Sequence, residues 1–317
     1  MRCPWTPVPG LALCCFLLLA GDSPSGRSGA LLFYDGFEHA GLRGWALAIN
    51  DADDPLRRTR PEHLAALYQV GRVNSPARSG KYSVRFEVRR KLGSYRSELK
   101  LPAEPRLNER WYGFSIFVPE DWGEDPAGDI VAQWHGLKDP GMMRAYPPLA
   151  LHITGNRWQL AVNWDAGKRK TKEEARKAAR RARLELGPLQ RGVWTDWVLH
   201  VRWSYRDDGL LEVWKNGRRV VDRTGPNCYN DRRGPYFKIG IYHPSWKRKN
   251  AAAFHSQQVI VPRKVIYHDE IRIGGESATY ATVAPQPPNS RLARQAGQTA
   301  RNAAGGRNHV HWQPPTR

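Results

Sequence analysis

The sequence predicts an all-β protein, an antiparallel β-sandwich of the jelly-roll, concanavalin-like kind. Three observations carry that prediction. From Leu31 to Gly275 the chain runs as short segments in which apolar and polar residues alternate, each bounded by turn residues; this is the period-two signature of half-buried strand. About a dozen such segments follow one another with a single helical stretch among them, which favours antiparallel neighbours over βαβ crossovers. Thirteen Trp, 12 Tyr and eight Phe in 317 residues supply the bulk of a packed core and set the chain apart from a disordered polymer.

Residues 1–30 precede the sandwich. Arg2 stands before the apolar stretch Gly10–Ala20, and small and polar residues follow. That is the three-part layout of a secretory signal, too short to span a bilayer, with cleavage after Ala20 or after Ala30. Clear strand segments then come at Tyr82–Val88, Trp111–Val118, Asp129–His135, Leu149–Ile153 and Arg157–Trp164. Others follow at Trp194–Trp203, Leu210–Trp214, Tyr236–Tyr242 and Val265–Ile273. Asn216-Gly217, between Glu212–Lys215 and Val220-Val221, is the two-residue turn of a tight hairpin.

Residues 167–187 break the pattern. Lys168–Leu186 holds nine basic and three acidic residues among helix formers and stops at Gly187-Pro188. A charged surface helix inserted between two strands is expected there, with a basic lip over a binding groove as the sharper reading. Residues 277–317 carry five Arg, no acid and no periodicity, and read as a disordered basic tail. The folded domain is therefore placed at 31–276.

Net charge is +20, from 50 Lys+Arg against 30 Asp+Glu, and +14 of it falls within residues 31–276. A field of that size favours a polyanion: nucleic acid, acidic polysaccharide or an anionic membrane surface. Beyond the first 30 residues no apolar run reaches the ~20 residues of a membrane-spanning helix, which excludes a polytopic membrane protein. Cys3, Cys14 and Cys15 lie in the leader, so only Cys228 remains in the folded part. No intrachain disulfide and no thiolate metal cluster can form there. A lone Cys in so aromatic a chain is expected to be buried and inert.

Three strings stand out: Tyr95-Arg-Ser-Glu-Leu-Lys100, Gln133-Trp-His135 and Tyr236-Phe-Lys-Ile-Gly-Ile-Tyr242. Each falls on an expected strand, where residues two apart share a face. Arg96, Glu98 and Lys100 therefore project together, as do Gln133 and His135, and as do Tyr236, Lys238 and Tyr242 around Gly240. Apolar residues fill the alternate positions, so each strand turns one side to the core and one polar side outward. One such string is an ordinary solvent-facing strand. Three together point to a binding or catalytic face.

In that order along the chain, the strings resemble the polysaccharide lyases of the β-jelly-roll class. The likeness is strongest to the heparin lyase I-like and glucuronan lyase group, and alginate lyases share the strand layout. It runs from Phe33-Tyr-Asp-Gly-Phe-Glu38 to Tyr267-His-Asp-Glu-Ile-Arg-Ile273. The resemblance implies β-elimination: the C5 proton of a uronate is removed and the 4-O-linked sugar is expelled. Gln133 and Arg96 are suited by type to neutralise the uronate carboxylate. Tyr242 matches the family's catalytic tyrosine and His135 its histidine, as base or neutraliser. Lys238, Glu98, Lys100, Tyr236 and Trp246 are expected to hold substrate, Trp246 by stacking on a sugar ring.

No cofactor is required for this chemistry. The resemblance leaves room for a structural calcium anchored by His268-Asp269-Glu270 with Asp35 or Glu38. His152 and His200 are expected to be structural, and His243 to border the groove. A sandwich hydrolase is disfavoured because no Glu-x-Asp occurs in the chain, and paired carboxylates are what retaining hydrolases need. No zinc spacing, helix-turn-helix or ribonucleoprotein signature supports a nucleic-acid partner. A non-catalytic sugar-binding module is the alternative. The expectation is a secreted or periplasmic monomeric lyase whose partner is an anionic, uronate-containing polysaccharide and whose activity falls as salt rises.

Overall fold

The computed structural model describes residues 31–41, 43–50, 68–144, 146–247, 251–255 and 261–286. The expected signal, and the tail from residue 287, lie outside the described residues. The strands in chain order are β1 (Leu31–Asp35), β2 (Ala46–Asn50), β3 (Val70–Val73), β4 (Ser83–Arg89) and β5 (Arg96–Ala103). They continue as β6 (Glu109–Phe117), β7 (Asp129–His135), β8 (Leu149–Thr154), β9 (Arg157–Trp164) and β10 (Arg180–Pro188). The last are β11 (Trp194–Arg202), β12 (Leu210–Lys215), β13 (Arg218–Thr224), β14 (Tyr236–Tyr242) and β15 (Arg263–Gly274). Helices α1 (Lys172–Ala178), α2 (Ala251–His255) and α3 (Tyr280–Val283) are short.

Two antiparallel sheets form. One is ordered β13-β12-β11-β6-β15-β4-β3, with β1 pairing to β15; the other is ordered β10-β9-β8-β7-β14-β5-β2. The strings on β5, β14 and β7, far apart in sequence, thus become three adjacent strands. The core lies between the sheets because one face of every strand is apolar. Trp134 stacks on Phe237 at 4.9 Å and meets Tyr112 edge-on at 5.2 Å, while Trp158 meets Trp197 at 5.2 Å. Each such pair contributes roughly 0.5–1.5 kcal/mol beyond its buried area. The hairpin turn forms as expected: Asn216 and Gly217 both take positive φ, 49° and 81°, which matches the right-handed twist of the flanking strands.

Two expectations are corrected. Helix occupies only Lys172–Ala178 of the 167–187 insertion, opened by a Thr171–Glu174 capping box. Arg180–Pro188 is instead the edge strand of the second sheet, paired to β9. There Ala182, Leu184 and Leu186 pack on the core, while Arg181, Arg183 and Glu185 alternate outward, so packing overrides helix propensity. The expected tail also begins too early, since residues 277–286 belong to the fold. Val283 is fully buried and Tyr280 packs on Trp214 at 5.5 Å.

Candidate functional site

The second sheet turns Leu99, Ala132, Trp134, Phe237, Ile239 and Ile241 inward to the core. The alternate residues line its outer face. Register fixes who meets whom there. Arg96 lies opposite Tyr242, Glu98 opposite Gly240, and Lys100 opposite Lys238. Across the other edge of β14, Lys238 lies opposite Gln133 and Tyr236 opposite His135. The outward residues of the three strings share one surface.

Glu98 is its hub. Its carboxylate accepts from the Gln133 amide and from Lys238 Nζ, and Arg96 Nε stands 3.0 Å away. Glu98, Gln133 and Lys238 are almost wholly buried. Burial lowers Lys238, and Glu98 works against that. This revises the roles read from sequence: Glu98 and Lys238 neutralise each other beneath the surface rather than meeting substrate directly. Lys100 is exposed at the rim.

Tyr242 sits at one end. Beneath it Ile130, Ala150 and Ala161 form a small apolar cluster separate from the main core. The Arg96 guanidinium lies 5.0 Å from its ring centroid and Lys247 Nζ 4.9 Å. Tyr95 meets it edge-on at 5.8 Å. Gly240 makes this placement possible. It adopts φ 120°, and a Cβ there would lie 2.2 Å from the Ser97 carbonyl. The β14–β7 register slips between Ile239 and Tyr242, the kind of irregularity that re-aims a side chain.

His135 sits at the other end, its ring 5.3 Å from that of Tyr236. Burial first, then the Lys238 ammonium, pull its pKa down to about 4, so it is neutral at pH 7. Its Nδ1 lies 3.0 Å from the Gly136 carbonyl. A carbonyl only accepts, so Nδ1 carries the proton and Nε2 keeps the lone pair. His135 and Tyr242 are not in contact: Tyr236 and Tyr242 are separated by about 20 Å of strand. Burial also holds the Tyr236 phenol above its ordinary value.

Trp246 is corrected outright. It is fully buried, edge-on to His243 at 4.3 Å, and has no face to offer a sugar. His243 does not border the groove either. Fully buried, it bonds Asp129 at 2.7 Å and Ser245 at 2.8 Å, with Asp125 at 3.2 Å. Burial alone would lower it, but Asp129 and Asp125 raise it to about 9. His200 is held between Glu109 and Glu212 on the other sheet and stacks on Trp111, a structural post. His152, expected to be structural, pairs with Ile130 in register on β8. Burial, then Arg183, lower it to about 4.

The carboxylates expected to anchor calcium accept from protein donors. Asp35 accepts from the Phe37 amide and the Trp45 indole. Glu38 accepts from the Lys81 and Tyr82 amides, and Asp269 from those of Arg78 and Ser79. His268 lies in the core, edge-on to Phe86. Among the described residues no cluster of His, Cys, Asp or Glu is arranged to hold a metal ion. Tyr95, which the alternation assigns to the core side, does pack on the core; sequence reasoning missed its contact with Tyr242 and missed Lys247, which lies outside any strand pattern.

The polysaccharide lyase family model matches residues 37–272. Among solved structures, an endo-β-1,4-glucuronan lyase from the fungus Trichoderma reesei superposes with TM-score 0.64 at 18% identity, covering 81% of this chain and 99% of that one. A family 7 alginate lyase gives TM-score 0.48 at 13% identity, covering 74% and 95%. A cellulose-induced protein gives 0.46 at 12%, covering 76% and 96%. Comparison with curated protein sequences returns no match. At these identities the structural likeness speaks for the jelly-roll fold, and the family match, over well above half of the chain, speaks for descent. The chain belongs to the polysaccharide lyase family.

Proposed function

We propose that this protein is exported and cleaves a uronate-containing anionic polysaccharide by β-elimination on the outer face of the second sheet. The observation that carries the reading is the placement of Arg96 against Tyr242. A permanently charged fork beside a phenol supplies two things the reaction needs. The cation neutralises the uronate carboxylate, so that charge developing at C5 is stabilised. It also favours ionisation of the phenol that handles the proton.

Gln133, aligned by Glu98, adds an amide at the centre of the face. His135 and Tyr236 hold a sugar away from the cleaved bond. The exposed arginines of β10 extend the face: from β5 to β10 it crosses six strands, about 24 Å. A face of that length suits a chain polymer, and the positive charge suits a polyanion.

The test is near-ultraviolet absorbance of the unsaturated uronate with the full chain. The panel holds polyglucuronate, alginate, heparin, heparan sulfate, chondroitin and hyaluronan. A rise with one polymer establishes elimination and names the substrate. Retention of a polymer on a column with no rise replaces this reading with a non-catalytic binding module.

A further inference from the structure

Resting on that reading, we propose that Tyr95 is a second catalytic phenol, bridged to Tyr242 by Lys247, so that two tyrosines divide the base and acid roles. The geometry is symmetrical. The phenol rings lie 5.8 Å apart at 83°. Lys247 Nζ stands 5.0 Å from the Tyr95 ring and 4.9 Å from that of Tyr242. Arg96 faces both from 5.6 and 5.0 Å.

This group is braced from behind. Trp246, fully buried, precedes Lys247, and its carbonyl accepts from the Gly93 amide at 2.7 Å. The His243 amide donates to the Tyr95 carbonyl at 2.8 Å. Glu98 acts on the Lys247 ammonium through space and favours its charged form.

Burial lowers the Lys247 ammonium below its ordinary value. Ordinary lysine and tyrosine values differ by only about 0.4 units, so a proton passes between them at little cost. The charged groups facing the pair are Arg96, Lys247 and Glu98. In the step, the Tyr242 phenolate takes the C5 proton and the C5–H electron pair becomes the C4=C5 double bond. The C4–O4 bond breaks with its pair on O4, and the Tyr95 hydroxyl protonates O4. Tyr242 is then neutral and Tyr95 ionised. Lys247 gives a proton to Tyr95 and takes one from Tyr242, which restores the start.

Two measurements on the full chain test this. The first is an ultraviolet titration of tyrosine ionisation, which needs no substrate. One phenol should ionise at least about one unit below the ordinary value near 10. Tyr242→Phe should remove it and Lys247→Met should move it back up. A wild-type titration with no early phenol overturns the proposal.

The second is turnover of whichever panel polymer is cleaved. Tyr95→Phe should lower kcat about 100-fold or more with KM little changed, and Lys247→Met should displace the pH profile upward. A Tyr95→Phe enzyme with wild-type kcat, folded by circular dichroism, also overturns the proposal. If wild type cleaves no polymer, the lyase reading fails, while the phenol titration still decides the pairing.

Discussion

Tyr242 and Trp246 stand four residues apart and have opposite fates. Tyr242 ends a strand on the outer face, over Ile130, Ala150 and Ala161. Tyr242→Phe keeps the ring and its packing and removes only the hydroxyl. It should therefore abolish turnover, by about a thousandfold or more, with an unchanged melting temperature; the absorbance assay and a thermal melt check both. Trp246 lies in the main core. Trp246→Ala opens a cavity and should lower stability by about 3–5 kcal/mol, measured by chemical denaturation. A stacking role would instead raise KM and leave stability alone. The motif residues were legible because their order and alternation are local properties. Trp246 was misread because an aromatic beside basic residues has the same sequence signature at a groove rim and in a core.

Among the elements, β14 and β10 shape the outer face of the second sheet. Gly240 lets β14 shift against β7 in a backbone region that side chains avoid. Gly240→Ala should destabilise the fold by more than about 1 kcal/mol and should also reduce kcat by displacing Tyr242; denaturation and turnover measured on the same sample check this. The sequence marked the spot only as a glycine opening space between Lys238 and Tyr242. For β10, helix formers and charge read as helix. The two-residue alternation of Ala182, Leu184 and Leu186 decides for strand once β9 offers a free edge.

That exchange places Arg183 opposite Ala161, on the face shared with Tyr242. Arg183→Gln should raise KM severalfold for long polymer chains and less for short oligomers, with kcat held. Equal effects at all lengths would remove β10 from the binding face. The expectation of a basic lip thus becomes a testable property of a strand rather than of a helix.

At the scale of the molecule, one buried ion network ties the sheets behind the site. His243 follows β14, Asp129 opens β7, and Lys264 on β15 approaches Asp129 at 3.2 Å. His243 is raised to about 9 in the fold, above its unfolded value near 6.5. Its stabilisation is therefore complete below about pH 6.5 and is lost as pH rises through 9. The difference amounts to about 3 kcal/mol. An imidazole followed by NMR should stay charged to about pH 9, and Asp129→Asn should lower that value. Stability should decline between pH 6.5 and 9 less steeply in Asp129→Asn than in wild type.

Most of the strands, the sandwich class, the hairpin at Asn216-Gly217 and the three strings with their outward residues were legible in the sequence alone. Period-two alternation and turn chemistry act over a few residues, so they can be read without knowing neighbours. The pairing of Glu98 with Lys238, and the place of His135 beside Tyr236 rather than Tyr242, came from the folded arrangement. It also decided that Trp246 is core, that Arg180–Pro188 is a strand, and that Tyr95 and Lys247 join Tyr242. These depend on register and burial between segments as far apart in sequence as Tyr95 and Lys247. A side chain's charge and role follow from the partners that remove it from water, and those partners are chosen by the folded chain.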